Sequence, residues 1–283
     1  MMMRNAKAAL TSGLFVLVVS FPLLAEADQK KEKASLSSDW EFTIGLGVGY
    51  GPDYEGSDDY EFGALPIVEV VWKDRIYLSS HEGLGAYFYQ GDQLSLQGGI
   101  NYDGGRDESD NSRLRGLGDV DAAAALNFTA EYEVGPITPF VSLEKSLGGS
   151  DGLQIEFGVE SAIPFGMLTG RLSAQDLEQM GEVAALEPRL LLGISTTWVD
   201  DNYAESYFGV NARQSTRSGL ARYSAESGFK SVDFEIGVHY PLTRNWAINA
   251  TTGYSQLVGD AADSPIVQDE GQFFGGLFVT YTF

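Results

Sequence analysis

The segment Trp40-Glu-Phe-Thr-Ile-Gly-Leu-Gly-Val-Gly-Tyr50 alternates between large apolar side chains and side chains that are small or polar. Because successive residues of a β-strand point to opposite faces, this segment predicts a strand with one apolar face. The same period of two recurs at 120–132, 153–160 and 232–240, where carboxylates occupy the opposite face. Alternation of this kind predicts an all-β chain, although a soluble sandwich and a barrel would both show it.

Three further features favour a transmembrane antiparallel up-and-down β-barrel over a sandwich. Many alternating segments are about ten residues long, which matches a tilted strand that crosses a bilayer. Aromatic residues such as Trp40, Trp72 and Trp246 stand at segment ends, as interface girdles do. Carboxylates avoid the apolar face, as lipid contact requires. The expected surroundings are therefore outer-membrane lipid and lipopolysaccharide.

The number of strands follows from the turns between the alternating segments. We expect about 14 strands, an even number as in bacterial barrels, or 12 if the hairpin at 75–90 does not span. Two of the expected strands are 166–173 and 203–210. Short connections alternate with long polar ones at 51–59, 104–116, 174–187, 211–228 and 258–271. Since short turns face the periplasm, both termini should lie there and 174–187 should be an outer loop, with or without a short helix.

The first 27 residues have the pattern of a secretory signal peptide. Arg4 and Lys7 precede the apolar run 13–24, and Ala25 and Ala27 form the small-x-small cleavage pattern. The apolar run is shorter than the ~20 residues of a spanning helix, which disfavours an uncleaved anchor. We expect a polar periplasmic tail at 28–39 and the barrel at 40–283.

The final strand carries an apolar stripe that ends on an aromatic residue. Leu277, Val279, Tyr281 and Phe283 occupy alternate positions up to the last residue. The stripe resembles the signal that outer-membrane barrels present to the barrel-assembly machinery, because an unpaired apolar edge strand can template β-pairing. The alternative is an ordinary final strand of a soluble domain.

The sequence contains few residues of the types that usually carry catalysis or bind metals. The net charge of −22 disfavours nucleic acid as a partner, since phosphate binding needs a basic face. The absence of cysteine excludes disulfides and thiolate metal sites. The two histidines, His81 and His239, lie far apart and form neither a zinc site nor an evident triad. We therefore expect no catalytic, cofactor or metal site.

The face opposite the apolar one should line the barrel lumen. Its expected carboxylates are Glu41, Asp121, Glu131, Glu156, Glu160, Asp233 and Glu235. Buried carboxylates need partners, so either arginine and tyrosine side chains fill the lumen or water does. A water-filled acidic lumen would favour cations.

Several segments together resemble one known family. They include Gly47-Val-Gly-Tyr-Gly-Pro52-Asp53-Tyr54-Glu55-Gly56-Ser-Asp-Asp-Tyr60, Leu114-Arg-Gly-Leu-Gly-Asp119, Tyr207-Phe-Gly-Val210 and Gly259-Asp260-Ala-Ala-Asp263-Ser264-Pro265-Ile-Val267. In this order they resemble the MltA-interacting protein family of outer-membrane proteins (MipA/OmpV). The resemblance spans nearly all of the chain after the signal peptide.

The resemblance implies a non-enzymatic outer-membrane barrel. It also implies a scaffold that links a lytic transglycosylase and a penicillin-binding murein synthase in peptidoglycan synthesis and remodelling. Other family members are described as osmotically regulated proteins or adhesins. A cation-leaning channel and a surface adhesin are therefore the alternative functions. For the loop motifs we expect either a fold over the barrel mouth, built on Asp turns, or contact with a partner.

Overall fold

A computed structural model describes residues 39–283 and shows one closed barrel of twelve antiparallel strands. The strands are β1 Trp40–Pro52, β2 Tyr60–Trp72, β3 Ile76–Ser79, β4 Gly83–Gln90, β5 Leu94–Asp103, β6 Ala123–Tyr132, β7 Ile137–Ser146, β8 Leu153–Pro164, β9 Arg189–Val199, β10 Gly228–Pro241, β11 Trp246–Leu257 and β12 Gly271–Thr282. Each strand pairs with its neighbours in the chain, and β12 pairs with β1 to close the wall. The prediction of an antiparallel up-and-down barrel is confirmed.

Short helices occupy some of the connections. They are α1 Phe165–Leu168, α2 Ala174–Met180, a 3₁₀ helix at Gly181–Leu186, α3 Asp201–Phe208, α4 Ala212–Ser218 and α5 Gly259–Ala262. None of the helices within residues 39–283 is long and apolar enough to cross a bilayer.

The wall has the two faces that the alternation predicts. Leu46 of β1 lies opposite Val279 of β12, and both side chains are exposed on the outside of the barrel. On the inside, Thr43 is buried and its hydroxyl is hydrogen-bonded to that of Thr282 at 2.8 Å. Large apolar side chains that are exposed on the outer face of a barrel are the surface that lipid covers.

The strand count is twelve, the lower of the two expected numbers, but the two missing strands are not those of the 75–90 hairpin. That hairpin is present as β3 and β4. The strands expected at 166–173 and 203–210 were wrong, because these segments form α1 with the turn after it and α3.

The two ends of the barrel carry different connections. We call the end with Trp40 and Phe283 the turn end; here the connections 73–75, 91–93, 133–136 and 242–245 are short and only 165–188 is long. We call the other end the loop end; it carries 53–59, 80–82, 104–122, 147–152, 200–227 and 258–270. Residues 174–187 lie at the turn end together with Trp40 and Phe283, so the prediction that this segment and the termini face opposite sides of the membrane was wrong. The prediction counted 166–173 as an additional strand, and this placed 174–187 at the opposite end of the predicted barrel.

Candidate functional site

Four long loop-end connections pack together over the barrel mouth. They are 53–59, 104–122, 200–227 and 258–270, and we call them the mouth cap. One buried apolar cluster joins the mouth cap to the ends of β9 and β11 and contains Val199, Tyr203, Ala204, Phe208, Ala225, Leu257 and Ala261. A second contains Tyr54, Leu114, Leu117, Val210 and Ile266. The mouth cap therefore has an apolar core of its own, which loops that merely extend into solvent would lack.

Local sequence signals shape the helices of the mouth cap. Asp200 caps α3 by accepting a hydrogen bond from the backbone N–H of Tyr203 at 2.9 Å. Tyr203, Ala204 and Phe208 lie on one face of α3 and are buried. Asn211 caps α4, which ends at Gly219 with a left-handed φ of 82°.

The first family motif is hydrogen-bonded to the last one and to the residues just after it, across the seam between β1 and β12. The Tyr54 hydroxyl lies 2.7 Å from Oε1 of Gln268 and 3.1 Å from the carbonyl oxygen of Ile266. The backbone N–H of Gly56 donates to Oε1 of Gln272 at 3.0 Å, and the Gly56 carbonyl accepts from the N–H of Gln268 at 2.6 Å. These contacts favour the interpretation that the motifs are built to close the mouth.

The other motif residues also lie in or beside the mouth cap. Buried Pro52 ends β1, and Oδ2 of Asp53 accepts from Nδ2 of Asn111 at 2.8 Å. Gly259 begins α5 with a φ of 57°, and the exposed Asp263 follows α5.

Three further contacts tie α5 and the residues after it to other loops. The Asp260 carbonyl accepts from the Tyr223 hydroxyl at 2.8 Å. The Ser264 hydroxyl donates to the Phe208 carbonyl at 2.6 Å. The Pro265 carbonyl accepts from Nη2 of Arg113 at 2.5 Å.

A buried ion pair joins the mouth cap to the wall. Nζ of Lys230 in β10 lies 2.7 Å from Oε1 of Glu55 and 3.1 Å from the Tyr203 hydroxyl. The Tyr203 hydroxyl also donates to Oε2 of Glu55 at 3.1 Å. Burial raises the pKa of Tyr203, so its hydroxyl keeps its proton and remains a donor. Sequence reasoning found Glu55 through its motif but missed Lys230, because no local pattern distinguishes it from a surface lysine.

Arg106 makes a second buried link within the mouth cap. Its Nη1 donates to the Tyr207 carbonyl at 2.6 Å, and its guanidinium lies over the Tyr207 ring. Burial lowers the pKa of Arg106 and raises that of Tyr207. An arginine commonly stacks on an aromatic face in this way.

Most of the expected lumen carboxylates lie on inward-facing strand positions. Glu41 lies on β1, Glu131 on β6, Glu156 and Glu160 on β8, and Asp233 and Glu235 on β10. Asp121 was placed in the lumen wrongly. The alternating segment 120–132 included Asp121, but the strand begins at Ala123, and Asp121 is exposed in the connection before it.

The inner carboxylates form a crowded polar interior. Oδ2 of Asp233 accepts from the Ser231 hydroxyl at 2.7 Å, and Oε1 of Glu235 accepts from the Thr251 hydroxyl. Two arginine or lysine residues of the described strands do not face outward. They are Arg189, near the turn end, and Lys230, near the loop end. Within residues 39–283 no group of three or more histidine or acidic side chains could hold a metal ion.

The turn end has one structured surface, the connection 165–188. The Ser173 hydroxyl and the Asp176 carboxylate form a capping box at the start of α2, and Ser173 holds the pKa of Asp176 below its usual value. Oε1 of Glu187 accepts from the Gly166 N–H at 2.6 Å, which closes the connection at its base. Met167, Leu168 and Val183 are exposed. Alternation along the sequence did not reveal this surface, because 166–173 was taken as a strand.

The C-terminal stripe lies on the outer face of β12. Leu277 and Val279 are exposed, and the Tyr281 and Phe283 rings meet edge to face at 4.8 Å. The Phe283 N–H donates to the Phe42 carbonyl at 2.9 Å and so extends the ladder with β1. The predicted cleavage residues Ala25 and Ala27 and the predicted tail up to residue 38 lie outside the described residues.

Known proteins resemble this chain in sequence. The model of the family described as MltA-interacting protein MipA matches residues 44–283. The putative outer membrane protein YiaT of Escherichia coli K12 is 31% identical over 104 residues, which are 37% of this chain and 40% of that protein. The MltA-interacting protein of the same strain is 31% identical over 91 residues, 32% of this chain and 36% of that protein. OmpV of Vibrio cholerae O1 is 36% identical over 101 residues, 36% of this chain and 37% of that protein.

These alignments cover well under half the length of the relatives. Among solved structures, OmpT of Vibrio cholerae aligns with 88% of this chain and 99% of its own, at 10% identity and a TM-score of 0.35. The closed barrel, the family match and the outer-membrane relatives together make this chain an outer-membrane β-barrel. Since the family model covers nearly the whole described barrel, the chain belongs to the MltA-interacting protein MipA family.

Proposed function

We propose that the protein is a non-enzymatic outer-membrane scaffold that links a lytic transglycosylase to a penicillin-binding murein synthase during peptidoglycan synthesis and remodelling. We also propose that it is exported through a signal peptide cleaved after Ala27 and is inserted by the barrel-assembly machinery through the stripe that ends at Phe283. The family match supports the scaffold role, and the name of one relative specifies interaction with MltA.

The observation that carries the proposal is the mouth cap. A solute pathway needs a mouth that solvent can enter, whereas here two apolar clusters and the Glu55–Lys230 pair fill the loop end. A barrel whose loops pack together at one end can still present a rigid surface at its other end. This arrangement favours a scaffold over a general porin.

The connection 165–188 is the surface that we propose for the murein enzymes. By the rule that short turns face the periplasm, the turn end lies on the side where peptidoglycan is built. The connection is long, it is held by the capping box and by Glu187, and it exposes the apolar side chains Met167, Leu168 and Val183. Exposed apolar side chains on an ordered segment are typical of protein-binding surfaces.

Pull-down from solubilised envelopes tests this proposal. The tagged protein should recover a lytic transglycosylase and a murein synthase, and a variant in which a short turn replaces 165–188 should lose both. A matched variant with 212–218 replaced by a short linker changes the loop end only and should recover both. If the unmodified protein recovers assembly factors but no murein enzyme, the scaffold proposal fails.

A cation-leaning channel is the second candidate, and the acidic interior favours it. Glu160, Asp233 and Glu235 are buried inside the wall, and such a lining would select cations if water reached it. Planar-bilayer recording separates the two functions. The scaffold proposal expects no conductance from the intact protein, and steady cation-selective steps would support the channel.

A further inference from the structure

The barrel wall has a gap beside β3. This strand has only four residues and covers ~13 Å, which is half of the ~25 Å apolar band of an outer-membrane barrel. Its neighbour β2 has 13 residues, of which only 69–72 pair with β3. Within residues 39–283, no strand pairs with residues 60–67 of β2 on this side. The loop-end part of β2 therefore has an open edge.

Pro66 shows that the sequence is adapted to this open edge. The N–H and the C=O of Val68 both face the β3 side, where they bind the hydroxyl and the backbone N–H of Ser80 at 3.3 and 2.8 Å. Because strand residues alternate, the backbone groups of Phe62, Ala64 and Pro66 face the same side. Proline has no N–H to donate, so within sheets it is confined to positions that need no ladder partner. A pairing strand is thus not required at this edge.

We call the gap the lateral window. Its two sides are residues 60–67 of β2 and residues 101–103 of β5, and the β3–β4 turn at 80–82 lies below it. Above it, Nδ2 of Asn111 donates to Oδ2 of Asp59 at 3.2 Å, so the connection after β5 reaches across to the loop before β2. Since β3 and β4 do not extend this far, β2 and β5 are three strand spacings apart, or ~14 Å.

Aromatic side chains place the lateral window at the level of the leaflet at the loop end. Phe62 and Tyr102 are exposed on the outer face at its two sides, and the Phe62 ring lies 4.7 Å from that of Tyr50. Such rings mark the membrane–water interface. An open strand edge below this level is tolerated only where protein covers it or where it lines a water-filled cavity. We therefore expect water in the lateral window.

The inner surface beside the lateral window is amphipathic. Glu61 faces inward near its top and is exposed, and Asp53 and Asp110 act on it as like charges. No lysine or arginine within residues 39–283 forms an ion pair with Glu61. Further from the loop end, Leu65 and Ile67 also face inward and are half-buried. This order, acidic and then apolar, matches the head and the body of a cationic amphiphile in the adjacent leaflet.

We propose that the lateral window admits an amphipathic organic cation from the leaflet at the loop end, with its ammonium group at Glu61 and its apolar body against Leu65 and Ile67. The mouth cap fills the axial route, so the lateral window is the way into this part of the interior. The carboxylates repel an amphipathic anion. A partner strand fits the edge less well, because Pro66 cannot donate to a ladder. Binding at this site needs no conducting path through the barrel and is independent of the scaffold role.

Cysteine labelling tests whether the lateral window is open, because the chain contains no cysteine. Leu65→Cys, in nanodiscs of phosphatidylcholine, should react with a charged maleimide many times faster than Thr251→Cys. Thr251 is the matched control because it also faces inward, at a similar distance from the loop end, but lies between two paired strands. Equal rates would overturn the proposal. Fast labelling in nanodiscs but slow labelling in native envelopes would also overturn it, because a partner would then cover the edge.

Equilibrium binding of radiolabelled dodecyltrimethylammonium to the same nanodiscs, with empty nanodiscs subtracted, tests the ligand class. The unmodified protein should bind one molecule, and it should not bind dodecyl sulfate. Glu61→Gln should weaken binding about tenfold, the effect of losing one close charge pair. Asp58→Asn is the matched control because it removes an exposed carboxylate from the loop before β2. It should bind as the unmodified protein does.

Ile67→Trp fills the space beside the lateral window and repeats the test if Glu61→Gln does not give a folded, heat-modifiable barrel. Its control is Val68→Trp, which places the same side chain on the outward face of β2. Equal binding by a variant and its control would overturn the proposal. Binding of dodecyl sulfate as tightly as the ammonium compound, or no binding above empty nanodiscs, would overturn it as well.

Discussion

Lys230 and Glu55 form an ion pair, at 2.7 Å, between the barrel wall and the first loop of the mouth cap, with both side chains less than a tenth exposed. Removing one member of a buried pair leaves an uncompensated charge and typically costs ~3–5 kcal/mol. We expect Lys230→Met to loosen the mouth cap while the strands remain paired. Limited proteolysis in detergent should then cleave 200–227 much faster than in the unmodified protein.

The double variant Lys230→Met with Glu55→Gln removes both charges and provides the control. It should be cleaved more slowly than Lys230→Met alone, because the charge of Glu55 is no longer left buried without its partner. If the single and double variants are cleaved equally fast, the pair does not hold the mouth cap.

Gly56 lies where the two loop motifs meet, in a backbone conformation with a φ of 96°. A Cβ there would lie 2.6 Å from Cγ2 of Val267, and the conformation itself costs an L-residue ~1–2 kcal/mol. Gly56→Ala should therefore lower the stability of the mouth cap by more than ~1 kcal/mol, measured by hydrogen exchange of 53–59. Gly104→Ala is the control, since a Cβ at Gly104 meets nothing within 4 Å. Equal protection in both variants would contradict the expected role of Gly56.

The interior carboxylates repel one another. Glu160 is buried, and Glu131, Glu156 and Glu235 act on it as like charges. Burial and these neighbours oppose ionisation of Glu160, so its charge appears only in alkaline buffer. Glu160→Gln removes that charge and should raise the thermal midpoint in alkaline buffer, by ~2–4 °C for each kcal/mol recovered. Glu226→Gln changes an exposed carboxylate of the mouth cap and should leave the midpoint unchanged. A lower midpoint for Glu160→Gln would mean that its charge is compensated inside the barrel.

Glu108 makes one part of the mouth cap sensitive to acid. The backbone N–H groups of Gly118 and Gly116 donate to its carboxylate and hold the pKa of Glu108 below its ordinary value of 4.5. A pKa that is lowered by folding adds stability above the unfolded value, and this stability is lost as the pH falls through the folded value. Hydrogen exchange of 104–122 should therefore quicken as the pH drops below 4.5, after correction for intrinsic rates.

Glu108→Gln should show faster exchange at neutral pH and a weaker dependence on acid. Identical profiles for this variant and the unmodified protein would exclude Glu108 as the titrating group.

The C-terminal stripe is expected to guide assembly. Phe283→Ala removes the terminal ring that packs on Tyr281 and should reduce the yield of heat-modifiable barrel in the outer membrane. Thr280→Ala changes an inward-facing neighbour and should assemble normally. Normal yield from Phe283→Ala would argue against the proposed signal.

The strands of the wall could be predicted because their outer and inner faces repeat every two residues. The segments 166–173 and 203–210 were assigned wrongly for a local reason. In 203–210, Asp200 supplies an N-cap, and Tyr203, Ala204 and Phe208 follow the spacing of a helix rather than the alternation of a strand. In 166–173, Gly170 takes a left-handed φ of 69° in the turn after α1, a conformation that a strand does not contain.

The mouth cap was predicted only as a possibility, since its contacts join distant parts of the chain. Tyr54 and Gln268 are 214 residues apart, and Glu55 and Lys230 are 175 apart. Periodicity describes neighbours in sequence and carries no information on such pairs. Only the family motifs indicated that these loops have a common role at the barrel mouth.

The hydrogen bond between Thr43 and Thr282 joins residues 239 positions apart. Every ladder except that of β1 with β12 links strands that are consecutive in the chain. Pairing β1 with β12 therefore costs more chain entropy than forming any other ladder of the barrel. Barrel formation should therefore have a high contact order and a slow final step, the zipping of this seam. A polypeptide that stops before β12 would have two open sheet edges and no route to a sealed ring.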